Sequence, residues 1–83
     1  MEFCAEVKDG CSLGLFVQLP FDVYVLYGTH RQKVWAELNG LRFPAVLQRV
    51  GRPEYVLVFR SEVRKALKLK AGEQVHIRLE VRS

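Results

Sequence analysis

The chain has 83 residues, with 13 Lys+Arg against 9 Asp+Glu, a net charge of +4 and 49% hydrophobic residues. That is too apolar for a disordered tail and too evenly spread for a membrane protein, whose helices need ~20 consecutive apolar residues. The length allows one domain over residues 1–83 with one compact core, and it disfavours a deep catalytic cleft.

The charge is unevenly placed. Residues 1–40 hold three basic and five acidic residues, net −2, whereas residues 41–83 hold ten basic and four acidic, net +6. Cys4 and Cys11 do not make a disulfide scaffold, although a bridge between them across an expected turn stays open. Met1-Glu2-Phe3 lacks the basic and apolar regions of a secretory signal, which predicts a cytoplasmic protein with reduced thiols.

Phe3 to Lys8 alternates, with Phe3, Ala5 and Val7 on one face, and reads as a strand. Asp9-Gly10 and Gly14 bracket a turn. Leu13, Leu15, Val17 and Leu19 alternate again and predict a second strand, ended by Pro20. The segment 20–27 is ambiguous. Its Val and Tyr residues favour a strand, whereas Pro20 at the first helical position and Gly28 just past the end favour a short helix with Asp22 in its first turn. The helix is preferred because it fits the repeat described below.

Lys33 to Gln48 predicts a hairpin about Asn39-Gly40, a dipeptide suited to the positive φ angles of a type I′ turn. A two-residue loop places Leu38 opposite Leu41, Ala36 opposite Phe43 and Val34 opposite Ala45, all on one face. Glu37 then meets Arg42, and Trp35 meets Pro44. Pro44 lacks an N–H, so its strand is an edge or bends there. Val50-Gly51-Arg52-Pro53 reads as a turn, and Tyr55 to Phe59 as a strand buried on both faces. Ser61 is the expected N-cap of a helix with Val63, Ala66 and Leu67 as its apolar stripe. After a turn at Ala71-Gly72-Glu73, Val75, Ile77, Leu79 and Val81 alternate with polar residues in a half-buried last strand.

Residues 16–38 and 55–79 each read as strand, short helix, strand. Two such units related by a pseudo-twofold would close into a small mainly β barrel of six strands, with a short helix capping each end.

Pro20-Phe21-Asp22-Val23, Tyr27-Gly28, the run from Val34 to Asn39-Gly40 with Phe43, Tyr55, Arg64-Lys65-Ala66, and Gly72 with Val75 follow an order that resembles the bacterial domain-of-unknown-function family numbered nineteen-oh-five. The resemblance covers nearly the whole chain and implies a double-split β-barrel with no established activity or catalytic residues. The departures are Gly72-Glu73, where Gly-Asp is usual, and Gly51 to Glu54, which replaces a more glycine-rich turn. Arg64, Leu67, Leu69, Gly72-Glu73, Val75 and Ile77 also resemble the swapped-hairpin transition-state regulators and antitoxins. Those build such a barrel from two chains and bind DNA. The resemblance implies a monomeric core here, with a homodimer optional.

Arg60, Arg64, Lys65, Lys68 and Lys70 are the candidate anion-binding residues. On a helix, Arg60, Arg64 and Lys68 share a face and could meet successive phosphates; they could equally be a solvated face whose cations suit the helix C-terminus. Trp35, Tyr24 and Tyr27 are candidate interface residues or core residues. Cys4, Cys11, His30 and His76 match no metal-ligand spacing, so no metal and no cofactor is expected. No nucleophile motif or glycine-rich phosphate loop is present, so an enzyme is not expected. These features favour a non-enzymatic binding module without a membrane span. Its sharpest partner is nucleic acid or another anion. The alternative is a small-ligand-binding or enzyme-accessory domain with a pocket at the barrel mouth.

Overall fold

The structure is a computed structural model that describes residues 1–10, 14–49 and 54–82. Among these, seven strands and two helices form in the order β1 (Glu2–Glu6), β2 (Lys8–Asp9), β3 (Leu15–Gln18), α1 (Val23–Tyr27), β4 (Gln32–Leu38), β5 (Leu41–Gln48), β6 (Val56–Val58), α2 (Ser61–Leu67) and β7 (Gln74–Val81). The expected turn at 50–53, the strand start at Leu13 and the Cys4–Cys11 question lie outside the described residues.

One sheet runs β1-β7-β4-β5-β6-β3-β2 with every neighbour antiparallel. Its two ends belong to one stretch of chain, and Val7 is the joint. The Val7 N–H donates to the Glu73 carbonyl at 2.8 Å, and the Val7 carbonyl accepts from the Gly72 N–H at 2.7 Å. The chain then bends so that Lys8 and Asp9 pair with Phe16 and Leu15. This bend carries the sheet from β7 round to β3 and nearly closes a barrel. It also corrects the expected strand count from six to seven, because Val7 pairs with a turn and so divides the first strand in two.

The hairpin register is as the two-residue turn requires: Leu38↔Leu41, Ala36↔Phe43, Val34↔Ala45, Glu37↔Arg42 and Trp35↔Pro44. Asn39 (φ 52°) and Gly40 (φ 84°) supply the two positive φ angles. Val34, Ala36, Leu38, Phe43 and Ala45 enter the core with Val17, Leu47, Leu57, Ile77 and Leu79. β6 runs through the middle of this core, flanked by Tyr55 and Phe59, which are both buried. Val81 departs from the expected inward alternation; it is 55% exposed, because β7 has there run past β1, whose pairing stops at Glu2↔Arg78, although Val81 still pairs with Val34 of β4.

Segment 20–27 forms a helix, and local capping starts it later than Pro20. The Asp22 carboxylate accepts the Val25 N–H at 3.2 Å, which makes Asp22 the N-cap instead of a first-turn residue. Gly28, left-handed at φ 73°, closes the helix by donating its N–H to the Tyr24 carbonyl. α2 differs at its start. Arg60 is the N-cap, without a side-chain cap, and Ser61 is already helical. Its C-cap is Lys68, left-handed at φ 53°. Of the expected apolar stripe, Val63 is buried and Leu67 half-buried, while Ala66 is exposed.

Candidate functional site

The barrel splits where β5 and β6 part. They are paired only at Leu47↔Leu57 and Gln48↔Val56, while β5 continues back to Leu41 beside β4. After β6 the chain turns at Phe59, whose N–H donates to the Leu15 carbonyl at 3.0 Å, and enters α2 alongside this opening. The candidate cations are thus carried by a helix placed beside the split.

The five cations do not form one helical stripe. α2 ends at Leu67, so Arg60 and Lys68 are its two caps, and Lys70 lies beyond it. Arg60, Lys65, Lys68 and Lys70 are exposed. None of these four has an ion-pair partner among the described residues. Arg64 is different: it is half-buried, and its Nε is enclosed without a hydrogen-bond partner among the described residues. Its guanidinium lies over Gly14, where an added methyl would stand 3.2 Å from Nη1. Four cations are therefore presented outward and Arg64 is turned onto the β3 entry. From position 60 to 68 the helix rises about 12 Å, a length over which B-DNA carries about seven charges.

Trp35 is half-buried on the outer face of β4, with the Arg42 guanidinium 4.8 Å and that of Arg82 5.6 Å from its ring. Arg42 stands opposite Glu37, yet its ion pair is with Glu80 on β7 at 3.7 Å. The expected Glu37–Arg42 pair is thus replaced by one that draws Arg42 across Trp35. Both groups are well exposed, so this pair adds little stability. A shallow cavity of about 130 Å³ borders these residues with Arg78 and Ala36.

Tyr24 and Tyr27 part company. Tyr27 is half-buried against the core, and burial raises its phenol above the usual value. Tyr24 is exposed and stacks on His30, with ring centroids 4.5 Å apart. His30 in turn meets the Tyr55 hydroxyl through Nδ1 at 2.6 Å, and Arg49 lies 4.5 Å from the Tyr55 ring. Sequence reasoning did not single out this layer, since its members come from α1, the α1–β4 connection and the entry to β6. Val25 (77% exposed) and Leu26 (46%) lie beside Tyr24 on α1.

Of the four residues weighed as metal ligands, His30, His76 and Cys4 are among the described residues. His30 is held by the two tyrosines, while His76 Nε2 lies 3.3 Å from a Glu2 carboxylate oxygen. Cys4 is opposite His76 in the β1–β7 register and is exposed, and Cys11 lies outside the described residues. Among the described residues, no cluster of three or more such side chains is arranged to hold an ion. Among them, too, no helix is long and apolar enough to cross a membrane.

The opening beside β5 holds two adjoining grooves. One, of about 290 Å³, is lined by Leu41, Phe43, Pro44, Val63 and Ala66, with Arg60 and Glu62 at its rim. The other, of about 240 Å³, runs past Pro44, Ala45, Val46 and Gln48 between Arg31 and Arg60. Pro44 was the one sequence signal for this edge; Arg31 lies far from the others along the chain and gave none.

No curated protein matches the chain. The model of the family described as Domain of unknown function (DUF1905) matches residues 3–79, and with nearly its whole length covered the chain belongs to that family.

Proposed function

We propose that this protein is a non-enzymatic interaction module that binds an anionic partner at the α2 end of the barrel, nucleic acid being the sharpest case. The observation that carries this reading is the outward presentation of Arg60, Lys65, Lys68 and Lys70, none with an ion-pair partner among the described residues. Unneutralised cations on a short rigid element can displace counterions from a phosphate backbone without side-chain ordering elsewhere. A barrel closed within one chain would present this element as a monomer.

Fluorescence anisotropy with a short labelled DNA duplex tests the reading. If about three phosphates are neutralised, affinity falls roughly 40-fold between about 50 and 200 mM salt. Absence of binding at the lower salt concentration rejects nucleic acid as the partner.

A second reading, a small-ligand or enzyme-accessory domain, is favoured by the apolar groove between β5 and α2. A salt-independent thermal shift with a metabolite panel would select it over the first.

A further inference from the structure

The two grooves beside β5 share Pro44 and Arg60 and so form one trough along an open sheet edge. Hydrogen-bond alternation fixes which backbone groups face it. Leu38 and Leu41 flank the two-residue turn and form a hydrogen-bonded pair, so Phe43 and Ala45 also bond to β4. Arg42, Pro44 and Val46 then turn their backbone polar groups the other way, Arg42 and Pro44 toward the trough and Val46 toward Val58 at the end of β6. β6 pairs with β5 only at Leu47 and Gln48, so opposite Arg42 and Pro44 no described strand is paired.

The trough has two chemically distinct walls. Inward lie Leu41, Phe43, Val63 and Ala66, and outward stand Arg31 and Arg60, opposed only by Glu62. Neither arginine has an ion-pair partner among the described residues. Period-2 alternation along an extended segment would put apolar side chains on the inward wall and carboxylates toward the arginines. Pro44 limits the docking. It offers a carbonyl but no N–H, so the edge accepts a short segment and resists open-ended sheet growth. The geometry points to a docking site for a short extended acidic peptide, added as a strand to β5 opposite Arg42 to Pro44, with alternate apolar residues under α2 and alternate carboxylates at Arg60 and Arg31. A compact metabolite would leave the Arg42 and Pro44 backbone groups unused. The corresponding groove beside β1, lined by Ala5, Glu6, Lys8 and Leu19, contains no arginine. Arg60 is common to this inference and to the phosphate-binding reading, but the sheet edge and Arg31 belong to this one alone and the α2 lysines to the other, so the failure of one is distinguishable from the failure of the other.

The test titrates the full chain with an acetylated, amidated hexapeptide of alternating leucine and aspartate, followed by amide NMR. The expected result is saturable binding, with a shift and slowed hydrogen exchange at the Arg42 amide. Lysine in place of aspartate in the peptide, and Arg31→Glu in the protein, should each weaken binding roughly tenfold, the scale of one charge-assisted contact. N-methylation of alternate peptide amides should abolish binding, while Lys65→Ala with Lys68→Ala should leave it within about twofold, since exposed charges outside the contact act weakly. Equal binding of the lysine or N-methylated peptide, binding with no change at Arg42, or no binding overturns the inference. Loss of DNA binding in the lysine variant with peptide binding intact would separate the two sites.

Discussion

Leu57→Ala probes whether the β3–β6–β5 seam is the centre of the barrel. Leu57 is fully buried on β6 and stands opposite Val17 on β3 and Leu47 on β5, both equally buried. Truncation removes three carbons, about 2.4 kcal/mol of transfer free energy at ~0.8 kcal/mol each, and leaves a cavity walled by strands on both sides. Strands fixed by pairing on two sides cannot collapse inward, so the loss should reach about 3–5 kcal/mol. A chain of 83 residues has ~4–12 kcal/mol of stability in total, so the variant should lose about a quarter of it or more. Urea denaturation followed by the fluorescence of Trp35, the single tryptophan, should show a midpoint about 3–5 M lower for a slope near 1 kcal/mol/M. A loss below about 1 kcal/mol, the range of peripheral sites, would refute the placement of this seam in the core.

Gly40→Ala should cost about 1–2 kcal/mol, because φ is 84° there and nothing within 4 Å would compensate the methyl group; the hairpin register predicts the loss without any change in DNA affinity. Lys68→Gly relieves a left-handed lysine, so thermal unfolding should rise by about 4–8 °C for a gain of ~1 kcal/mol, while DNA binding weakens. Burial raises the Tyr27 phenol, so the folded state holds this proton more tightly than the unfolded chain. Stability is therefore complete below the unfolded value near 10 and falls as pH rises through the higher folded value. Tyr27→Phe should remove that alkaline component, and identical alkaline unfolding profiles of the two proteins would contradict it.

Much of the fold was legible in the residues. Asn39-Gly40 with matched apolar partners specified the hairpin to the residue, because a two-residue turn leaves no freedom of register. At 20–27 the local signals divide, Val and Tyr favouring a strand and Pro20 with Gly28 a helix, and the counterpart at 61–67 decided between them. The bend at Val7 was not, because a strand that changes partner keeps its alternation and leaves no mark in the pattern. Arg64 shows the same limit at the candidate site. Spacing put it in a cationic stripe, yet contact with Gly14, fifty positions away, turned it inward. Lys68 was assigned to a helix face because a left-handed cap on a lysine carries no residue signal.

The two halves invite one further reading of our own. Exchanging β3 with β6, β4 with β7, and the β1–β2 run with β5 leaves the strand order unchanged. The Leu19 N–H bond to the Tyr55 carbonyl has its counterpart from Phe59 to Leu15. We take this as support for a duplicated strand–helix–strand unit. A superposition of 16–38 on 55–79 that requires anything but a near-twofold rotation would remove that support.

The central claim is that the exposed cations at α2 meet phosphates, and the salt dependence of duplex binding tests it most directly. Three phosphate contacts predict a slope of log affinity against log salt of about −2.7 for the native chain, falling to about −0.9 in the variant carrying Lys65→Ala, Lys68→Ala and Lys70→Ala, which keeps Arg60. The same slope in both proteins, with both folded, would contradict the claim.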